Sequence, residues 1–190
     1  MIEAKNLAKA MKSAAKALGF KIYHPNDGSN LYIWNDIWCV VLNADKVPRL
    51  VLAQIVEATG ELPEPGFCGI VTTEGLQTLD PDVAYQEIKF RTATNPSKEI
   101  SVALAPIRYR GMIVYQAATL EVYATNGAGI SIAERSAVTS ATVEGGKLIF
   151  TAAGECLILQ CSRPVESLGR PEEELPVWAA LESCTLGKVE

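Results

Sequence analysis

Residues 111–161 read GMIVYQAATLEVYATNGAGISIAERSAVTSATVEGGKLIFTAAGECLILQC, and this stretch decides the fold. Val114, Leu120, Val122 and Ala124 alternate with polar or amphipathic neighbours, and Asn126-Gly127 follows. Ile130 and Ile132, then Val138 to Val143, lead to Gly145-Gly146. Leu148 to Phe150 and Cys156 to Leu159 complete the series. Side chains of an extended strand point to opposite faces in turn, so alternation at period two marks strands. Asn-Gly and Gly-Gly accept the positive φ of tight hairpin turns. The pattern predicts an antiparallel meander.

Upstream, residues 2–18 are expected to form an amphipathic helix closed by Gly19. Leu7, Met11, Ala14, Ala15 and Leu18 recur at helical spacing and are read as its core face. Lys5, Lys9, Lys12 and Lys16 step by 4, 3 and 4 and form one stripe away from that face. Phe20 to His24 reads as a short strand, stopped by Pro25-Asn26-Asp27-Gly28. Leu31 to Trp34 and Ile37 to Val41 read as a hairpin around Asn35-Asp36. Asp45 suits the N-cap of a helix over 46–59, with Pro48 in its first turn and Gly60 at its end. Pro63 and Pro65 make 61–66 irregular.

Cys68 to Thr72, Glu87 to Thr92 and Ile100 to Ala105 are strand candidates, separated by turns at Asp80-Pro81-Asp82 and Asn95-Pro96-Ser97. The segment 74–86 has no clear pattern. Beyond the meander come Arg163-Pro164, a charged connection at 166–176 and a short helix over Val177 to Ser183. The sum is an α+β fold, an antiparallel β-meander packed with two main helices at about 2–18 and 46–59. It is read as a single compact domain over 1–190. The alternative is two packed halves, helix-rich 1–62 and β-rich 66–163, with a C-terminal extension at 164–190.

A hydrophobic fraction of 48% and a mean hydropathy of +0.14 supply a real core and argue against disorder. No apolar run approaches the roughly 18 residues that a spanning helix needs. Lysines interrupt the apolar residues at the N-terminus, unlike a secretory leader. Five scattered cysteines (39, 68, 156, 161, 184) then point to reduced thiols in a cytoplasm, with no membrane partner. The net charge of −5 is unevenly spread. Residues 1–24 hold five lysines against Glu3, a net +4, and the rest of the chain holds 12 bases against 21 acids, a net −9. A basic footprint for nucleic acid is therefore local, on the first helix.

The sequence nominates no catalytic residue, metal or cofactor. His24 is the single histidine, which excludes two-His and His₃ metal sites, and it reads as a hydrogen-bonded structural residue. Cys156 and Cys161 have opposite parity on one strand and so lie on opposite faces, which disfavours a shared metal or a disulfide. Gly127-Ala128-Gly129 sits between expected strands and lacks the helix N-terminus that a dinucleotide fingerprint needs.

Leu120-Glu121-Val122-Tyr123-Ala124-Thr125-Asn126-Gly127 resembles the strand and turn of bacterial DNA sliding clamps, L-x-L-x-A-T-D-G. The lysine-striped first helix is similar to the positive helices that line a clamp's central hole. The order helix, strand, hairpin, helix and meander is compatible with that layout, as is an acidic chain with one basic helix. This sequence departs in having no base in Ala128-Gly129-Ile130 after the turn. The resemblance implies electrostatic DNA contacts from Lys5, Lys9, Lys12 and Lys16, without catalysis or metal.

Three functional readings follow. The favoured one is a non-enzymatic, clamp-like DNA-associated module whose lysines contact the backbone without reading bases. The second is an assembly or regulatory protein, for instance from a mobile element, that contacts a protein partner or copies of itself through sheet edges and Trp34, Trp38 and Trp178. The third is a small-molecule binding domain or enzyme with a site in the loops at 60–86.

Overall fold

The computed structural model describes residues 1–166 and 172–186. In chain order its elements are α1 (Ala4–Ala15), β1 (Phe20–Tyr23), β2 (Asn30–Trp34), β3 (Trp38–Asn43), α2 (Arg49–Thr59), β4 (Cys68–Thr72) and β5 (Gly75–Thr78). There follow α3 (Pro81–Thr92), β6 (Ile100–Tyr109), β7 (Met112–Ala117), β8 (Val122–Asn126) and the single turn α4 (Gly127–Ile130). Then come β9 (Ser140–Glu144), β10 (Lys147–Ala152), β11 (Glu155–Ser162) and α5 (Leu175–Glu182). The chain is α+β, with an antiparallel sheet of eleven strands in the order β10-β9-β6-β7-β8-β11-β3-β2-β1-β4-β5. Part of the expected connection at 166–176 lies outside the described residues.

Strand β11 forks the sheet. Along one edge it pairs with β10. Its other edge pairs with β3 over Cys156–Leu159 and with β8 over Cys161 and Ser162. Since β10 also pairs with β9, and β9 with β6, the strands β6, β7, β8, β11, β10 and β9 close into a ring. The meander therefore holds for β6–β7–β8 and β9–β10–β11, but the chain crosses the ring between β8 and β9. Arg110-Gly111, Gly145-Gly146 and Ala153-Gly154 all have positive φ and make the tight turns.

Asn126-Gly127 is not a hairpin. Asn126 Oδ1 accepts from Ala128 N–H at 2.9 Å and starts α4. The glycines here serve close packing: a Cβ on Gly127 would lie 3.0 Å from Gly111 O, and one on Gly129 2.6 Å from a Leu159 methyl. Ile130 and Ile132 are buried as expected, but in a helical turn and a loop rather than a strand.

The largest buried cluster joins the helix layer to the ring interior. Leu7 and Met11 of α1 and Val51 and Ile55 of α2 cover Ile22, Ile33, Val40 and Val71, and the cluster continues to Tyr115, Leu148, Phe150 and Leu157. On the opposite sheet face, α3 sets Ala84 and Ile88 against Tyr23, Trp34, Cys39, Ile149 and Ile158. Trp178 of α5 packs on the outer face of β6–β8 with Ala105, Val114, Val122 and Ala124.

Several element assignments differ from expectation. Helix α1 stops at Ala15, and the chain turns to Gly19, whose N–H donates to Ala14 C=O at 2.8 Å. Leu18 falls in that turn and is 75% exposed, not in the core. Helix α2 begins at Arg49, because Asn43 rather than Asp45 caps a separate 3-10 turn over 44–46. Glu87 to Thr92 is not a strand but the end of α3. Asp80 Oδ1 accepts from Asp82 N–H at 2.8 Å with Pro81 in the first turn, so Asp-Pro here starts a helix rather than making a loop turn.

Candidate nucleic-acid interface

Helix α1 owes its orientation to burial of Leu7, Ala8, Met11 and Ala14. At 100° per residue, Lys5, Lys9, Lys12 and Lys16 fall within one narrow arc on the other side, and all four are exposed. Lys16 lies just past the last helical residue with an αR backbone, so the stripe continues through it. From Lys5 to Lys16 the rise is about 16 Å. Among the described residues, only Lys12 of the four forms an ion pair, with Glu57 of α2 at 3.1 Å. Both side chains are more than half exposed, so water screens that pair and leaves Lys12 available.

Beside the stripe runs a mostly apolar groove of about 430 Å³ between α1, the β2–β3 turn and α4. Lys9, Ala10, Ser13, Leu18, Ile37 and Trp38 are among its walls. Nothing in the sequence marks this groove, since its sides are far apart in the chain.

The structure does not bring Trp34, Trp38 and Trp178 to the surface. They are 0%, 5% and 0% exposed, and Trp38 meets solvent as part of the groove wall. Trp34 Nε1 instead donates to Glu87 Oε1 at 2.9 Å. Glu87 also accepts from Lys21 Nζ at 2.6 Å and from Arg91 at 3.1 and 3.2 Å, which fastens α3 to β1 and β2. Burial pushes the Glu87 carboxyl up. The hydrogen bonds from Lys21, Trp34 and Arg91 and the Lys21 charge outweigh it and hold the group below its ordinary value. A depressed folded-state value stabilises the fold above the unfolded-state value and loses that contribution as pH falls through the folded one. Glu87→Gln is therefore expected to lower stability at neutral pH and to flatten the acid limb below about pH 4.3. Denaturant melts from pH 7 to pH 3 check this, and parallel limbs in the two proteins would contradict it.

Other titratable groups are built into the structure. His24 is buried with Nδ1 2.5 Å from Pro63 O; a carbonyl only accepts, so Nδ1 carries the proton. Burial pushes the Cys39 and Cys161 thiols up to about 12, which leaves them protonated and unreactive at neutral pH. Cys156 and Cys161 belong to the clusters on opposite sheet faces, as their parity implies. Arg163 pairs with Glu121 at 3.2 Å and Glu182 at 3.3 Å, joining α5 to β8 and β11. Among the described residues, no group of three His, Cys, Asp or Glu side chains is placed to hold a metal ion, and no helix is long and apolar enough to cross a membrane. No protein-family model matches the chain, and no curated protein is significantly similar to it.

Proposed function

We propose that this chain is a non-enzymatic DNA-associated module, of the sliding-clamp kind, that holds the nucleic-acid backbone on the lysine face of α1. The observation that carries the reading is the exposed, aligned set Lys5, Lys9, Lys12 and Lys16 on a helix whose other side is fixed in the core. A run of about 16 Å matches roughly five phosphates along one strand, at about 3.4 Å of helix axis each. Ammonium groups on flexible stems meet phosphates as point charges, so the expected binding is independent of sequence. The acidic remainder of the chain repels a polyanion and confines it to this face. Packing of α1 beside α2 on one side of an antiparallel sheet supports the clamp-like form of the reading.

The test is fluorescence anisotropy of a labelled duplex at several salt concentrations. Four neutralised phosphates give a slope of about −3.6 in log K against log salt, or roughly a hundredfold loss from 50 to 200 mM. Absence of binding at 50 mM, or affinity insensitive to salt, would contradict the reading.

A further inference from the structure

The ring closes over only part of β6. Strand β9 pairs with it from Ile100↔Val143 to Ala103↔Ser140, and Leu104 N–H then donates to Thr139 C=O at 2.9 Å. Beyond Leu104 that side of β6 has no partner among the described strands. The other side stays paired with β7 but changes register, and Ala105, Pro106 and Ile107 stand opposite the single residue Val114. Pro106 has no N–H to donate and suits such a bulge. Leu104 lies opposite Tyr115, and Arg108 lies opposite Ile113. Opposed residues share a face, and Tyr115 and Ile113 belong to the cluster of the ring interior. Arg108 therefore starts from the inner wall.

The segment that crosses the ring covers this opening. It runs through α4 to a 3-10 turn at Arg135–Val138. Tyr115 Oη donates to Val138 C=O at 2.8 Å. Ile2 bridges to Ala133, and Glu134 N–H donates to Met1 C=O at 3.0 Å. Between this segment and β6 lies a cavity of about 520 Å³. Leu104 and Ile113 line it from the sheet, Ile130 and Val138 line it from the crossing segment, and Arg108 and Arg135 stand one on each wall. No aromatic ring, acid or hydroxyl side chain is part of the lining.

In a chain of net charge −5, Arg91, Arg110 and Arg163 all pair with carboxylates. Among the described residues neither Arg108 nor Arg135 forms an ion pair or a side-chain hydrogen bond, and both are exposed. Two uncompensated guanidinium groups thus meet at one apolar cavity.

We propose that this cavity binds a small aliphatic carboxylate, of the free fatty acid class. Its chain lies against Leu104, Ile113, Ile130 and Val138, and its carboxylate is held by Arg108 and Arg135. The guanidinium fork matches the two oxygens of a carboxylate. An aliphatic lining suits a hydrocarbon tail, whereas a base or a sugar needs stacking or further polar partners. The mouth of a closed sheet is a common place for such a ligand. The hydrogen bonds of the crossing segment fix the walls before the ligand arrives, which lowers the ordering cost of binding. No lysine of the α1 stripe lines the cavity, so the inference stands apart from the DNA reading.

The experiment is calorimetric titration with decanoate below its micelle concentration, paired with thermal melts. One decanoate is expected to bind per chain, saturably, and to raise the melting temperature as its concentration rises. Decanol has the chain without the charge and inorganic phosphate the charge without the chain, and each is expected to bind about tenfold more weakly or worse. Arg108→Gln and Arg135→Gln lose no ion pair, so both should melt like the wild type without ligand. Each should weaken decanoate binding by about tenfold or more. Amide chemical-shift changes should centre on residues 104–113 and 130–138. Absence of saturable decanoate binding overturns the proposal, as does decanol binding equally well or an affinity unchanged in the double arginine variant. Shift changes centred on the groove beside α1, where Lys9 offers the charge, overturn it too.

Discussion

Replacing Lys5, Lys9, Lys12 and Lys16 together by glutamate is expected to abolish duplex binding while leaving the fold intact. Each lysine is exposed, so no core contact is lost. Among the described residues only the Lys12–Glu57 pair is broken, and an exposed pair of this kind contributes at most about 1 kcal/mol. The change in charge is large by comparison. Four ammonium groups facing phosphates become four carboxylates, and the N-terminal region goes from a net +4 to a net −4. The affinity loss at 50 mM salt should exceed the roughly hundredfold drop that salt alone produces in the wild type. Anisotropy titration measures the loss, and a thermal melt within a few degrees of the wild type shows that the fold survives. Unchanged affinity in a folded variant would remove α1 from the interface.

Trp34→Ala is expected to cause the largest loss of stability among single substitutions that spare the lysine face. The indole is fully buried, and replacing a buried tryptophan by alanine typically costs about 3–5 kcal/mol through lost transfer energy and the cavity left behind. It also removes the Nε1–H donor to Glu87, which leaves that carboxylate with fewer partners in a half-buried site. In a chain of this size the melting temperature should fall by roughly 6–20 °C. Trp34→Phe keeps most of the volume and loses the hydrogen bond, so its cost should be nearer 1 kcal/mol. Equal melting temperatures for Trp34→Ala and the wild type would show that α3 is held by other contacts.

Local patterns in the sequence carry much of this structure. Strands β7, β8, β10 and β11 follow from short apolar stretches between turn residues, although each buries a continuous run rather than alternate side chains. The β2–β3 hairpin follows from Asn35, whose Oδ1 accepts from the N–H groups of Ile37 and Trp38. Helix α1 is legible because its apolar and lysine positions separate cleanly around the helix. Helix α3 is not. Val83 and Phe90 are 62% and 75% exposed and only Ala84 and Ile88 are buried, so no apolar stripe announces it. Its Asp-Pro start serves equally as turn or helix entry. Ring closure is invisible for a different reason. The pairings β6–β9 and β8–β11 join segments far apart in the chain, and no local motif sets their register.

The lysine stripe was legible as a surface feature because charge at helical spacing needs no tertiary information. The tryptophans show the converse. Trp34 and Trp38 stand beside the polar pair Asn35-Asp36, yet the hairpin folds both inward, one to each face of the sheet. The place of β5 at the end of the strand order could not be foreseen, since it is defined only once the other strands have found their neighbours.

The most direct measurement is amide chemical-shift mapping of the isotope-labelled protein during titration with a short duplex. Perturbations should concentrate on residues 5–16, should be the same for duplexes of unrelated sequence, and should fade as salt is raised from 50 to 200 mM. Perturbations centred on the outer face of α3 or on α5, with α1 silent, would contradict the assignment of the lysine face as the DNA-binding surface.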